Sequence, residues 1–144
     1  MSKTILLVED NSSDEKLTLL AFKSCGVANE IFVVRDGAAA LDYLFASGAF
    51  SGREEHSRPA LVLLDLKLPK VDGLEVLRRI KSDPRTRALP IVVLTSSRER
   101  RDIQACYLGG ANSYIVKPVE YAELIAKLGD LVRYWLQLNE TPPP

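Results

Sequence analysis

Five short apolar runs recur along the chain: Ile5–Val8, Ile31–Val34, Leu61–Leu64, Ile91–Leu94 and Tyr114–Val116. They are rich in Val, Ile and Leu and show almost no polar alternation. Strands buried on both faces have this pattern, and it predicts a parallel sheet. Segments of helical period lie between the runs. Leu17, Leu20 and Ala21 are placed on one face of the first, Val76, Leu77 and Ile80 on one face of the third. Leu124, Ile125, Leu128, Val132 and Trp135 form a long stripe in the last, which is expected to run to about Leu138.

Capping signals mark helix starts: Ser12 with Glu15, Asp72 with Glu75, and Ser96 with Glu99. Gly26 and the pair Gly109-Gly110 suit helix C-terminal positions that need positive φ. Strand and helix alternate five times. The predicted class is therefore α/β, a five-stranded parallel sheet with helices on both faces. Two segments depart from the pattern. Residues 47–59 are polar and carry Gly48, Gly52 and Pro59, which predicts a long surface loop before the third strand. Residues 141–144 (Thr-Pro-Pro-Pro) form a tail that cannot be helical, so the expected organisation is one domain over 1–140 and a Pro-rich tail.

Composition narrows the function. A chain of 144 residues can bury a core without metal or disulfide staples. Nineteen basic residues balance nineteen acidic ones, against the basic surplus of nucleic-acid-binding or anionic-membrane-binding domains. Cys25 and Cys106 lack Cys or His neighbours at metal spacing and read as reduced, packed thiols. The first apolar run is too short for a signal peptide, and no stretch reaches membrane-spanning length. The expectation is a soluble cytoplasmic protein.

Ligands of open α/β sheets bind at the carboxyl ends of the strands. There the first run ends in Glu9-Asp10, the third in Asp65, the fourth in Thr95-Ser96 and the fifth in Lys117-Pro118. Three carboxylates in one pocket repel: two unit charges about 4 Å apart interact by roughly 4 kcal/mol at an effective dielectric near 20. Raised pKa values, the lysine or a bound cation must offset this. Oxygen ligands suit a hard divalent ion such as Mg²⁺. A carboxylate beside such an ion and a lysine can attack a phosphoryl group, and a neighbouring hydroxyl can bond a phosphoryl oxygen.

Four stretches carry a resemblance over nearly the whole chain: Leu-Val-Glu-Asp-Asn at 7–11, Leu-Leu-Asp-Leu-Lys-Leu-Pro at 63–69 with Asp72-Gly73 after it, Val-Leu-Thr-Ser at 93–96, and Gly-Ala-Asn-Ser-Tyr-Ile-Val-Lys-Pro at 110–118. The chain resembles bacterial response-regulator receiver domains, which have a flavodoxin-like (βα)5 fold. The resemblance implies that Asp65 is the phosphoacceptor. It implies that Asp10 binds Mg²⁺ directly (Mn²⁺ can substitute), Glu9 mainly through water, and Lys67 through its backbone carbonyl. It further implies that Thr95 binds the phosphoryl group and moves on activation, with Lys117 paired to Asp65 and then to its phosphate. Tyr114 holds the aromatic switch position, and Lys117-Pro118 is expected as a cis peptide. Lys67 and Ser97 stand where side chains tune phosphate lifetime in the family. Val119 replaces a frequently larger aromatic.

No kinase helix carries His56, the single histidine, so the donor is another molecule, a sensor histidine kinase. The long loop before the third strand and the extended last helix resemble the stand-alone regulators that partner bacterial and cyanobacterial phytochromes. Output is then a binding event or phosphate relay. Leu131, Tyr134 and Leu138 add apolar surface beyond one stripe, which predicts a homodimer through the face of the fourth helix, fifth strand and last helix.

Blander readings stand beside these. Glu9-Asp10 can be a solvated turn, Asp65 a helix cap and Lys117 a loop lysine. Tyr114 can simply pack. Arg98, Arg100 and Arg101 can be a solvated face. Among other functions, an aspartate-nucleophile phosphohydrolase of the haloacid dehalogenase type would carry Asp-x-Asp after its first strand. A dinucleotide or flavin module would need a Gly-rich turn there, and residues 9–15 contain no glycine. A degenerate receiver would lack part of the set Asp10, Asp65, Thr95 and Lys117.

Overall fold

The computed structural model describes residues 4–53 and 58–143. His56 lies outside the described residues. Each of the five apolar runs forms a strand: β1 (Ile5–Val8), β2 (Ile31–Val34), β3 (Leu61–Leu64), β4 (Ile91–Thr95) and β5 (Ser113–Val116). Five helices alternate with them: α1 (Ser12–Ser24), α2 (Gly37–Leu44), α3 (Gly73–Ser82), α4 (Arg100–Leu108) and α5 (Tyr121–Val132), which continues as a wider π-helical stretch over Arg133–Leu138. The strands pair in parallel in the order β2-β1-β3-β4-β5, that of flavodoxin-like sheets.

The unbroken apolar runs follow from two cores. Leu6, Val8, Val62, Leu64 and Val93 face a cluster with Leu44, Val76, Leu77, Ile80 and Cys106 from α2, α3 and α4. The intervening residues Ile5, Leu7, Leu61, Leu63, Val92 and Leu94 face Ala21 and Phe22 of α1 and Leu124, Leu128 and Leu131 of α5. Successive strand residues point to opposite faces, and both faces are covered, so neither phase of the alternation is polar.

The helices correct several expectations. In α1 the buried residues are Thr18, Ala21 and Phe22, while Leu17 and Leu20 are exposed. The buried face follows the i, i+3, i+4 spacing through Thr18, whose small hydroxyl-bearing side chain is tolerated inside. Asn11, not Ser12, caps α1, its side chain accepting from the Asp14 N–H. Asp72 caps α3 by accepting from the Glu75 N–H. Ser96 does not cap α4, which begins at Arg100 after Glu99. Leu131 is buried in the monomer core, whereas Tyr134 and Leu138 are exposed. Gly26 and Gly110 have positive φ as expected, but Gly109 is right-handed. In the loop before β3, Gly48–Phe50 forms a 3-10 turn, and Phe50 packs edge-on to Phe32 and Tyr43.

Gly73 fixes the loop behind β3. Its N–H donates to the Leu66 carbonyl at 2.8 Å, and a Cβ there would meet the Asp65 carbonyl oxygen at 2.2 Å and Leu66 Cα at 2.6 Å. No side chain fits without moving the backbone of Asp65. Gly73→Ala is expected to cost about 1–3 kcal/mol in a denaturant titration, the usual range for overpacking. An unchanged midpoint would mean that the loop yields freely.

Candidate functional site

In this strand order the connections diverge from the crevice between β1 and β3, the switch point where such sheets bind ligands. Glu9 and Asp10 follow β1 there, and Asp65 follows β3. Backbone bonds hold these ends in line: the Asp65 N–H donates to the Val8 carbonyl and the Glu9 N–H to the Val34 carbonyl. Carboxylate oxygens of Glu9, Asp10 and Asp65 lie within 4.8 Å of one another. Glu9 is buried, Asp10 exposed, and Asp65 9% exposed.

Lys117 lies just beyond β5, its N–H donating to the Thr95 carbonyl at 2.7 Å. Its ammonium donates to Glu9 Oε1, to Asp65 Oδ2 at 3.1 Å and to Asp14 Oδ2 at 3.0 Å. Glu9 Oε2 accepts from the Asn11 N–H at 3.2 Å, and Asp65 Oδ1 from the Leu66 N–H at 2.7 Å. Burial pushes the Glu9 carboxyl up to about 7, against the opposing pull of the Lys117 hydrogen bond and charge. Burial alone would lower the Lys117 pKa, but the Glu9 hydrogen bond and the charges of Asp65 and Glu9 outweigh it and hold the ammonium above the usual lysine range.

Thr95 ends β4 and is buried; the Ser97 N–H reaches its Oγ1 at 3.4 Å. Tyr114 on β5 donates its hydroxyl to the Ser97 carbonyl at 3.0 Å, and burial raises its pKa. The Ser97 hydroxyl donates to Asp102 Oδ2 at 2.5 Å and accepts from the Glu99 N–H at 3.3 Å. These bonds engage Ser97 and Glu99, and α4 starts after them, at Arg100. A cleft of about 210 Å³ adjoins the site, between Leu66, Lys67 and Asp72 on one side and Ser97, Asp102 and Cys106 on the other. Lys67 is exposed, two residues beyond Asp65.

The geometry thus gathers Glu9, Asp10, Asp65 and Lys117 at one edge, with Thr95 ending the neighbouring strand and Tyr114 bonded to the loop beyond it. Two features were missed in the sequence. Asp14 was not singled out, although it lies one helical turn beyond Asp10, and Asp102 shows no signal until its bond to Ser97 is seen. One expectation is corrected: the Lys117-Pro118 peptide is trans, as are all peptides among the described residues. A trans bond is favoured before proline by about 0.5–1 kcal/mol, and Lys117 reaches its three carboxylates with it. The donor set fits a hard divalent cation, being all carboxylate oxygen and exceeding the single ammonium in charge.

A sheet wound in this order, with its acids and one lysine gathered at the switch point, fits a domain that accepts a phosphoryl group beside a divalent ion. The chain belongs to the response regulator receiver domain family, which it matches over residues 5–129. Receivers of this family take phosphoryl groups from histidine kinases and bind divalent metal.

Among curated relatives, the chain is 46% identical to the probable methanogenesis regulatory protein FilR2 of Methanothrix harundinacea, covering 97% of this chain and 88% of that one. It is 38% identical to the response regulator Rcp1 of Synechocystis, covering 97% and 93%. Among solved structures, the phosphorylated cyanobacterial phytochrome response regulator RcpA matches with a TM-score of 0.91 at 40% identity, covering 99% of this chain and 100% of that one. The bacteriophytochrome response regulator RtBRR matches at 0.80 and 52% identity, covering 99% and 86%. The Mn²⁺-bound form of Rcp1 matches at 0.88 and 37% identity, covering 98% and 99%.

A pH dependence follows from Glu9. Between its ordinary value of 4.5 and its folded value of about 7, the folded protein holds this proton more tightly than the unfolded chain does. Stability without divalent ion therefore falls as pH rises through that window. Glu9→Gln is expected to flatten the fall by up to about 3 kcal/mol in denaturant titrations across the window. An identical slope in the variant would remove Glu9 as its source.

Proposed function

We propose that this receiver carries its phosphoryl group on Asp65. One observation supports this above others: Asp65 is mostly buried beside Glu9 and Asp10, with one carboxylate oxygen held by the Leu66 N–H and the other by Lys117. In the reaction a carboxylate oxygen of Asp65 attacks phosphorus, the bond to the donor nitrogen or oxygen breaks, and the leaving group departs with its electron pair. Lys117 stays protonated and bonds a phosphoryl oxygen. The Thr95 hydroxyl donates to another.

Asp10, Asp65 and the Lys67 carbonyl would hold Mg²⁺, with Glu9 acting mainly through water; Mn²⁺ can substitute. Such an ion would supply positive charge to the transferring oxygens. In slow self-dephosphorylation water attacks phosphorus, the bond to the Asp65 oxygen breaks, and Asp65 leaves as the carboxylate with inorganic phosphate released. Tyr114 acts as the switch residue through its bond to the Ser97 carbonyl.

The donor is a sensor histidine kinase, and the likeness to RcpA and RtBRR favours a bacterial phytochrome. On this reading the protein works in the cytoplasm, where the kinase meets ATP. Among the described residues no helix is long and apolar enough to cross a membrane. The domain assignment is a receiver over 1–140 with a Pro-rich tail at 141–144.

Mass spectrometry after incubation with acetyl phosphate and Mg²⁺ tests the assignment. One phosphoryl group is expected on wild type and none on Asp65→Asn; equal labelling would sink it. Asp10→Ala is expected to lose Mg²⁺ binding while remaining folded, since removing a carboxylate relieves repulsion. Unchanged Mg²⁺ affinity would take Asp10 out of the site.

The face of α4, β5 and α5 is the proposed homodimer surface. Tyr107 and Leu108 on α4, and Tyr134 and Leu138 beyond α5, are exposed large apolar residues. Sedimentation at micromolar concentration is expected to show a dimer strengthened by a phosphate mimic and weakened by Tyr134→Ala or Leu138→Ala without loss of stability. A monomer under both conditions would rule the dimer out.

A further inference from the structure

Ser97 is held through its N–H, its carbonyl and its hydroxyl, each by a different element. The N–H reaches Thr95 Oγ1 at the end of β4, the carbonyl accepts the Tyr114 hydroxyl from β5, and the hydroxyl donates to Asp102 Oδ2 on α4 at 2.5 Å. Thr95 and Tyr114 are the residues that respond to the phosphoryl group on the reading above, which this inference rests on and deepens. Asp102 has no part in that reading. It stands half-buried in the first turn of α4. One turn further along, Cys106 is 1% exposed and lies in one core cluster with Leu77 and Ile80 of α3. The acceptor is thus fixed to a packed helix, whereas its donor sits in a loop of exposed and half-buried residues. A hydrogen bond to a carboxylate is stronger than one between neutral groups, so of the three contacts on Ser97 this one resists displacement most. The cleft of about 210 Å³ between Ser97 and Leu66-Lys67 leaves the loop room on the side of Asp65. Its approach to the site is therefore opposed by the Asp102 contact and not by packing.

We propose that Asp102 is a positioning residue that restrains the switch: through Ser97 it holds the loop after β4 in the arrangement of the unphosphorylated protein, and the contact breaks when Thr95 is drawn toward a phosphoryl group on Asp65. A contact made in one state and lost in the other favours the state that has it. Removing it shifts the equilibrium toward the phosphoryl-bound arrangement by the free energy of the contact. The two effects have opposite signs. Loss of the Asp102 carboxylate weakens the unliganded protein and strengthens its binding of a phosphoryl mimic.

The test measures binding of beryllofluoride, a mimic of the phosphoryl group, to the whole chain with Mg²⁺ by isothermal titration calorimetry. It compares wild type, Asp102→Ala, Ser97→Ala and the double variant. Asp102→Ala is expected to bind the mimic about threefold to tenfold more tightly, the change that one hydrogen bond lost from the unliganded state supports. Its thermal midpoint without the mimic is expected to fall. A residue that only supports the fold would lower the midpoint and leave the affinity unchanged or weaker, and that outcome overturns the proposal. Ser97→Ala removes the other end of the same contact. If Asp102 acts through Ser97, the double variant binds no more tightly than the tighter of the single variants. Gains that multiply in the double variant overturn the proposal. Should Asp102→Ala fail to fold, Asp102→Asn is read in its place, since it keeps an oxygen toward the Ser97 hydroxyl and loses the charge. A smaller gain in affinity then supports the proposal, and no gain overturns it. Absence of binding to wild type, or equal binding to Asp65→Asn, overturns the phosphoacceptor reading and this inference with it.

Discussion

The ammonium of Lys117 is the one positive charge on which the site depends. It meets carboxylates from three places in the chain: the end of β1, the first turn of α1 and the end of β3. Without it, a nearly inaccessible Glu9 would face Asp65 and Asp10 with no compensating charge, and burial and repulsion would drive it to take up a proton. The lysine stands beyond β5, two strands from β3 and three from β1, so its side chain spans the end of β4 to reach them. Pairing of Thr95 with Val116 sets where that side chain begins. Register in the sheet is thereby a condition on the electrostatics of the site.

The sheet leaves no other place for this chemistry. Both faces are given to hydrophobic cores, and the four-residue runs of β1 and β3 are buried throughout. Polar side chains can enter only where the buried run stops, at the first residue past the strand. Glu9, Asp65 and Lys117 all occupy that position. Thr95 is the last residue of β4, a hydroxyl small enough to be tolerated in the buried run. Gly73 completes the arrangement from behind, because its missing side chain lets α3 start against the backbone of Asp65.

The same two-sidedness explains what could be read from sequence. Long apolar runs with no polar phase located all five strands to within one residue, and the residues following them located Glu9, Asp10, Asp65, Thr95 and Lys117. Periodicity failed where a helix face is small or polar: α1 buries Thr18 and exposes Leu17 and Leu20, because packing space and not hydrophobicity alone chooses the face. Capping rules failed at α4 because the Ser97 hydroxyl and carbonyl are taken by Asp102 and Tyr114, contacts from residues that local sequence cannot place. Asp14 escaped notice for a related reason. Its partner lies 103 residues away, and an acidic residue in the first turn of a helix already has a local explanation in the helix dipole.

The segment from Ser96 to Glu99 differs in kind from the strands around it. Its residues are exposed or only partly buried, and the contacts described hold it by hydrogen bonds and not by core packing. Each such bond contributes about 1 kcal/mol net, whereas displacing a buried strand residue would cost several. Any shift of Thr95 toward a phosphoryl group on Asp65 is therefore accommodated most cheaply here. The Ser97 carbonyl would move under the Tyr114 hydroxyl, and the Ser97 hydroxyl would pull on Asp102 in the first turn of α4. On the proposed reading the strands would stay fixed while the start of α4 and the ring of Tyr114 adjust, because the segment held by a few hydrogen bonds lies next to the carboxylates and Lys117.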